Sequence, residues 1–277
     1  MDFRTIDGAD QRFVISQQGE GEDIVLVHGF PDTPHSYEVL QQQLVEAGWR
    51  VTVPWLRGYH PDTIVSGRPY DFETIGRDGV GLLDAIGAER AVFVGHDWGA
   101  LMGYVIATTA PQRLRGMVSI AIPHPSLLKR TPASLFAARH FLELKLPWAA
   151  RATRRNDFAY LERLYRRWAP NWSGPEREQS LLQVKQALSA PATLDGAIDY
   201  YRALPLGGSA LLEHPPTIAA LIVGGTRDLV DVELFEATPK LLGAPSRALI
   251  VPGAGHWPHR EDPATVLPEI VRFAGTL

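Results

Sequence analysis

Apolar and polar positions divide the chain into two regimes. From residue 12 to residue 122, short apolar runs alternate with longer stretches of helical spacing. QRFVIS (the 12–16 region), DIVLVHG (23–29), WRVTVPW (49–55), AVFVG (91–95) and LRGMVSIAI (114–122) have the length and the aliphatic, β-branched character of strands. Between them, SYEVLQQQLVEAG (36–48), DFETIGRDGVGLLDAIGA (71–88) and 98–109 read as helices, the first ending at Gly48. Such alternation predicts a mostly parallel sheet covered by helices.

The pattern breaks at about Pro123. As far as Pro215 no strand-like run occurs, and aromatic, arginine-rich helical stretches such as DFAYLERLYRRWAP (157–170) take over. Strand signals return in TIAALIVGG (217–225) and SRALIVPG (246–253), and a last helix covers about 262–275. The expected organisation is an α/β core over 1–123, a helical insert over 124–214 and the rest of the core over 215–277. The basic clusters RATRR and RLYRR read as solvated faces of the insert.

Composition narrows this picture in two ways. With 27 basic and 31 acidic residues the net charge is −4, which gives no footprint for nucleic acid. The chain has no cysteine, so disulfides, thiol catalysis and thiolate metal sites are excluded. MDFRTIDGADQRF has no apolar signal core, and no run approaches the length of a membrane span. A cytoplasmic protein with no membrane partner, monomeric or homodimeric, is the expectation.

Four motifs carry candidate chemistry. AVFVG runs into Gly95-His96-Asp97-Trp98-Gly99 and then a helix, a small-x-acid-x-small turn between strand and helix. An aspartate that merely caps the helix would explain this pentapeptide alone. LVHGFPD (26–32) ends the preceding core strand, and its Phe30-Pro31 peptide is a candidate cis bond. LIVGGTRDLVD (221–231) places Asp228 just past a strand, with Asp231 as the nearby competitor. GAGHWPHRED (253–262) places His256 in a glycine-rich loop after the last strand. Nucleophile, acid and base then follow in the order 97, 228, 256.

On these motifs the chain resembles the α/β-hydrolase superfamily over essentially its whole length, with a helical cap between core strands 6 and 7. GHDWG together with HGFPD is similar to the epoxide hydrolase and haloalkane dehalogenase group. The resemblance implies that Asp97 is the nucleophile, that Asp228 orients His256, and that the amides of Phe30 and Trp98 form an oxyanion hole. An acid at this position has a chemical rationale. Serine attacking a saturated carbon would form an ether that an activated water cannot readily cleave. A carboxylate forms an ester, which water activated by His256 can hydrolyse.

The insert separates epoxide from halide as the electrophile. Epoxide hydrolases direct two cap tyrosines at the ring oxygen, one of them in a Tyr-Arg pair. GAIDYYRALP (196–205) matches that pair with Tyr201. At the other position, seven residues before Pro147 in RHFLELKLPW, this chain departs from the family pattern and carries His140, whose ring N–H can also donate. Haloacetate dehalogenases place a histidine there too, but followed by tryptophan, and carry arginines after the nucleophile. Here Phe141 follows, and Asp97 is succeeded by Trp98-Gly99-Ala100-Leu101. Haloalkane dehalogenases often have asparagine after the His-Gly pair, where this chain has Phe30. The expectation is therefore an epoxide hydrolase of a His/Tyr cap variant, acting on a small, mainly apolar epoxide and water. Phe30, Trp98, Phe141, Trp148 and Trp257 are expected to line its pocket. The alternatives are a haloalkane or haloacid dehalogenase using the same aspartate, or a non-catalytic ligand-binding protein of this fold. No phosphate loop, nicotinamide fingerprint or metal-ligand cluster stands out, so neither cofactor nor metal is expected.

Overall fold

The structure, a computed structural model, describes the chain except at residues 66, 68, 129–130, 132–135, 137, 206–208 and 244. Ala91–His96 is buried at all six positions, as a strand covered on both faces must be. It is β5 of an eight-stranded sheet whose other strands are β1 (Arg4–Asp7), β2 (Arg12–Gln18), β3 (Glu22–Val27), β4 (Trp49–Pro54), β6 (Leu114–Ile120), β7 (Ala220–Gly225) and β8 (Arg247–Val251). The spatial order is β1-β2-β4-β3-β5-β6-β7-β8. β1 pairs antiparallel with β2, and β2 with β4, while the pairings from β4 through β8 are parallel.

The alternation of side chains along β5 divides the core. Ala91 and Phe93 join a cluster on one face with Leu82 and Ile106, from α2 (Phe72–Ala85) and α3 (Trp98–Thr109). Val92 and Val94 join a second cluster on the other face. That cluster contains Leu40 and Leu44 of α1 (Glu38–Glu46) and Ile270 of a C-terminal helix (Pro263–Ala274).

β1 is not anticipated by the sequence pattern. Its four residues, RTID, are exposed at three positions, so no alternation marks them. Ladder bonds to β2, in a register from Arg4↔Ile15 to Asp7↔Arg12, hold it in place.

Between β6 and β7 the described residues form α4 (His140–Lys145), α5 (Ala149–Trp168), α6 (Pro175–Ser189) and α7 (Thr193–Ala203). α5 is broken at 155–158, where Asn156, Asp157 and Phe158 have φ of 51°, 52° and 58°. Arg151, Arg154, Arg155, Arg163 and Arg166 are exposed as expected, while Arg167 is half-buried against the site. After β7 come α8 (Val232–Leu241), the short α9 (Pro258–Glu261) and α10, the C-terminal helix already described. No helix among the described residues is long and apolar enough to cross a membrane.

The strand order reverses at β3: the chain next lays β4 on one side and then β5 on the other. The carboxyl ends of β3 and β5 therefore diverge into a crevice, the usual ligand position in such sheets. The insert closes over these ends by direct bonds. The Tyr165 hydroxyl donates to the Pro31 carbonyl at 3.0 Å, and the Tyr200 hydroxyl to the Arg57 carbonyl at 3.1 Å. Gly196 of α7 lies so close to Gly58 that an added Cβ would stand 2.7 Å from its Cα and carbonyl oxygen. Two backbones cannot yield as a side-chain tip can. Gly196→Ala is therefore expected to destabilise the fold by about 1–3 kcal/mol, which for a chain of this size lowers the melting temperature by roughly 3–10 °C. Calorimetry checks this, and an unchanged transition would show that α7 is free to lift.

Candidate active site

Asp97 sits between β5 and α3 with φ 50° and ψ −112°, a region that costs a non-glycine residue about 1–3 kcal/mol. The flanking glycines make this turn possible by close approach. A Cβ on Gly99 would stand 2.1 Å from the Val27 carbonyl oxygen, and one on Gly95 would stand 2.3 Å from the Gly99 backbone. The Asp97 main chain is tied at both ends, its N–H to Ile120 O at 3.2 Å and its carbonyl to the Leu101 N–H at 3.1 Å. The carboxylate accordingly stands at the start of a helix, where negative charge is favoured. Its Oδ1 accepts the main-chain N–H of Phe30 at 2.8 Å, from the loop that follows β3. The Phe30-Pro31 peptide in that loop is cis.

The other oxygen, Asp97 Oδ2, lies 3.6 Å from His256 Nε2. On the far side of the ring, Nδ1 is 3.1 and 3.2 Å from the two oxygens of Asp228. All three side chains are shielded, with exposures of 13% for Asp97, 6% for His256 and 0% for Asp228. The competitor Asp231 stands exposed at the start of α8, while the imidazole pairs with Asp228. Burial alone would lower the His256 pKa, but the charge and hydrogen bond of Asp228, joined by those of Asp97, raise it to about 10. Asp97 is in turn held below the usual carboxylate range: burial pushes it up, and the bond and charge of His256 outweigh that. A raised pKa favours the folded state at low pH. This contribution is complete below the ordinary value of 6.5 and is lost as pH climbs through about 10.

The insert supplies the opposite wall. Tyr201 of α7 is 1% exposed, and the rings of Phe30, Trp98, Phe141 and His140 lie 5.2, 5.2, 5.4 and 5.9 Å from its own. Burial and the charge of Asp97 push its hydroxyl well above 10, so it stays protonated. His140 is buried at the start of α4, with Nδ1 3.3 Å from a guanidinium nitrogen of Arg167. A guanidinium only donates, so Nδ1 accepts and the ring proton sits on Nε2. Trp168, which sequence reasoning did not single out, fills the space between the two histidines, 4.6 Å from the His140 ring and 5.0 Å from the His256 ring.

Two expected pocket residues lie elsewhere. Trp148 is 60% exposed, because it precedes the first turn of α5 on the outside of the insert. Trp257 is fully buried, stacked on Tyr165 and Trp168, tilted against Trp172 and edge-on to His256, so it supports the histidine loop. Behind that loop the nitrogens of His96 and His259 and an oxygen of Asp32 lie within 4.8 Å of one another. These are the described residues whose donor types could take up a small cation. All three belong to the sequence motifs, as does Glu261, but alternation and spacing carry no sign of their contacts.

The fold has counterparts. The family model described as the alpha/beta hydrolase fold matches residues 24–263. The chain belongs to that family. This α/β-hydrolase is 30% identical to the AB hydrolase superfamily protein YfhM of Bacillus subtilis (strain 168), over 98% of this chain and 96% of that one. It is 27% identical to human epoxide hydrolase 4, over 88% of this chain and 69% of the human one. Among solved structures it superposes on epoxide hydrolase A from Mycobacterium thermoresistibile with a TM-score of 0.82 and 27% identity, covering 98% and 97% of the two chains. A Bacillus megaterium epoxide hydrolase gives a TM-score of 0.85 at 20% identity, covering 98% and 100%, a likeness of fold.

The electrostatics of the site can be tested directly. Asp228→Asn removes the main support for the charged imidazole, so the His256 titration should move from about 10 towards the ordinary imidazole range. Asp231→Asn should leave it in place. Ring-proton NMR measures both, and a titration unmoved by Asp228→Asn would mean that another group holds the charge.

Proposed function

We propose that this α/β-hydrolase opens an epoxide to a vicinal diol through an ester on Asp97. The observation that carries the reading is the division of labour on one carboxylate: Oδ1 is held by the Phe30 N–H, and Oδ2 faces the imidazole that Asp228 orients. Relatives named as epoxide hydrolases, human epoxide hydrolase 4 at 27% identity and epoxide hydrolase A of Mycobacterium tuberculosis (strain ATCC 25618 / H37Rv) at 25%, support the same substrate class. Residues 124–214 act in this reading as a cap that brings proton donors to the reacting oxygen.

In the first half-reaction Asp97 Oδ2 attacks a ring carbon as its C–O bond breaks. The ring oxygen leaves as an alkoxide and takes a proton from Tyr201 or His140, which water later restores. In the second half-reaction His256 removes a proton from water, and the hydroxide adds to the ester carbonyl carbon. The negative charge gathers on Oδ1, where the Phe30 amide and the Trp98 amide at the helix start stabilise it. Collapse expels the diol alkoxide, which takes its proton back from His256, and leaves on Asp97 one water oxygen with its remaining proton, which passes through solvent to the cap donor and restores both groups. The timing follows from charge. Ester formation removes the negative charge of Asp97, one of the two influences that raise His256, so its pKa falls, the ring gives its resting proton to solvent, and the neutral imidazole can accept one from water.

Single turnover in ¹⁸O-water is expected to place label in the Asp97 carboxylate and leave the first diol unlabelled. His256→Gln should accumulate a covalent adduct on Asp97, visible by intact mass. Label appearing only in the diol, with no adduct, would point to direct attack by water. Tyr201→Phe is expected to slow ring opening by about 10²–10³. Combined with His140→Phe it should slow it further, because two donors share one oxygen. Halide release from a haloalkane panel without diol from epoxides would place the protein among dehalogenases instead.

A further inference from the structure

The loop that carries His256 is tied down by its main chain. The His256 N–H donates to the Trp168 carbonyl at 2.9 Å. The amides on either side, those of Gly255 and Trp257, donate to the two oxygens of Glu261 at 2.8 and 3.0 Å. The His256 carbonyl lies 2.8 Å from His96 Nε2, and a carbonyl only accepts, so His96 carries a proton there. His96 is completely buried, and its other nitrogen lies 3.4 Å from Asp32 Oδ2. Asp32 Oδ1 is occupied by the Thr33 N–H and the Ser36 hydroxyl, which fix the carboxylate. Asp32 stands two residues after Phe30. One loop therefore sets the amide on Asp97 and, through Asp32 and His96, braces the loop of the base.

Resting on the reading of Asp97 and His256 given above, we propose that His96 and Glu261 are positioning residues that hold His256 on its line during hydrolysis of the ester. The need arises at that stage. Before alkylation the ionised Asp97 attracts the imidazole from the substrate side. Once esterified it carries no charge, and the ring keeps its aim through Asp228 and these main-chain anchors. A displacement of about 1 Å in such a group can cost about 10²-fold in rate.

The test uses the reach of the replacing side chain. In His96→Gln the amide nitrogen stands as many bonds from Cβ as Nε2 does, so it can still donate to the His256 carbonyl. In His96→Asn the amide reaches only towards Asp32. Glu261→Gln keeps one acceptor oxygen and sets an NH₂ group against the other amide. Rapid-quench measurement of the Asp97 ester under single turnover separates its formation from its hydrolysis. Formation should stay within a few-fold of wild type in all three variants. Hydrolysis should fall about 10²-fold in His96→Asn and about 10-fold in Glu261→Gln, and stay near wild type in His96→Gln. Equal behaviour of His96→Asn and His96→Gln, or loss of formation and hydrolysis together, would reduce His96 to a space-filling role and overturn the proposal. Should wild type form no ester at all, the functional reading fails, and the His256 titration decides the positioning proposal by itself. Measured in the Asp97→Asn background, which lacks that carboxylate charge as the ester does, it should be unchanged by His96→Gln and lowered by His96→Asn, because only the latter lets the ring leave Asp228. Equal titrations would overturn it.

Discussion

Two carboxylates set into one dry wall repel each other unless a cation stands between them, and His256 is placed to be that cation. Opposite charges 4 Å apart attract by about 4 kcal/mol at the effective dielectric of a protein near its surface, far more than in bulk water. The ring lies 3.1 Å from Asp228 and 3.6 Å from Asp97, and among the described residues no other basic side chain forms an ion pair with either carboxylate. The neighbourhood follows from this constraint. Asp97 takes a main-chain donor from the loop after β3, Asp228 leans on the imidazole because its side chain is fully buried, and the His256 loop is tied through its main-chain amides.

The aromatic wall makes the attraction effective by keeping water out. Trp168 lies against both histidines, and Tyr201 collects the rings of Phe30, Trp98 and Phe141. Helices far apart in sequence meet here because Tyr165 and Tyr200 hydrogen-bond to carbonyls of the core loops. Core and insert thus form one unit at the site, with Asp97, Asp228 and His256 on one side and Tyr201 and His140 on the other.

Residues whose surroundings are local along the chain are legible in the amino-acid sequence. The turn around Asp97 depends on glycines two positions away on either side, and the buried core strands announce themselves by unbroken apolar runs. Tyr201 is reached through the Tyr-Arg pair of a family resemblance. Residues whose surroundings are assembled at long range are not legible in this way. Trp148 and Trp257 look alike as bulky aromatics beside motifs, yet one is in solvent and the other is buried behind the histidine. Trp168 has no motif of its own, and its place depends on how α5 crosses the sheet. Asp32, His96 and Glu261 lie inside recognisable motifs, but only folding brings their partners to them.

β1, four residues with no hydrophobic signature, bears on how the molecule behaves among its neighbours. Beside it β2 has four consecutive buried residues, Phe13 to Ser16, and in the middle of a sheet such a strand is harmless. Left as an outer strand, it would offer unpaired amides and carbonyls along an apolar ribbon, the usual template for chain-to-chain association. β1 covers that ribbon and presents Arg4, Thr5 and Asp7 to the solvent, on an edge too short and too polar to recruit another strand. Its contribution is colloidal: it closes this edge of the sheet to the next molecule.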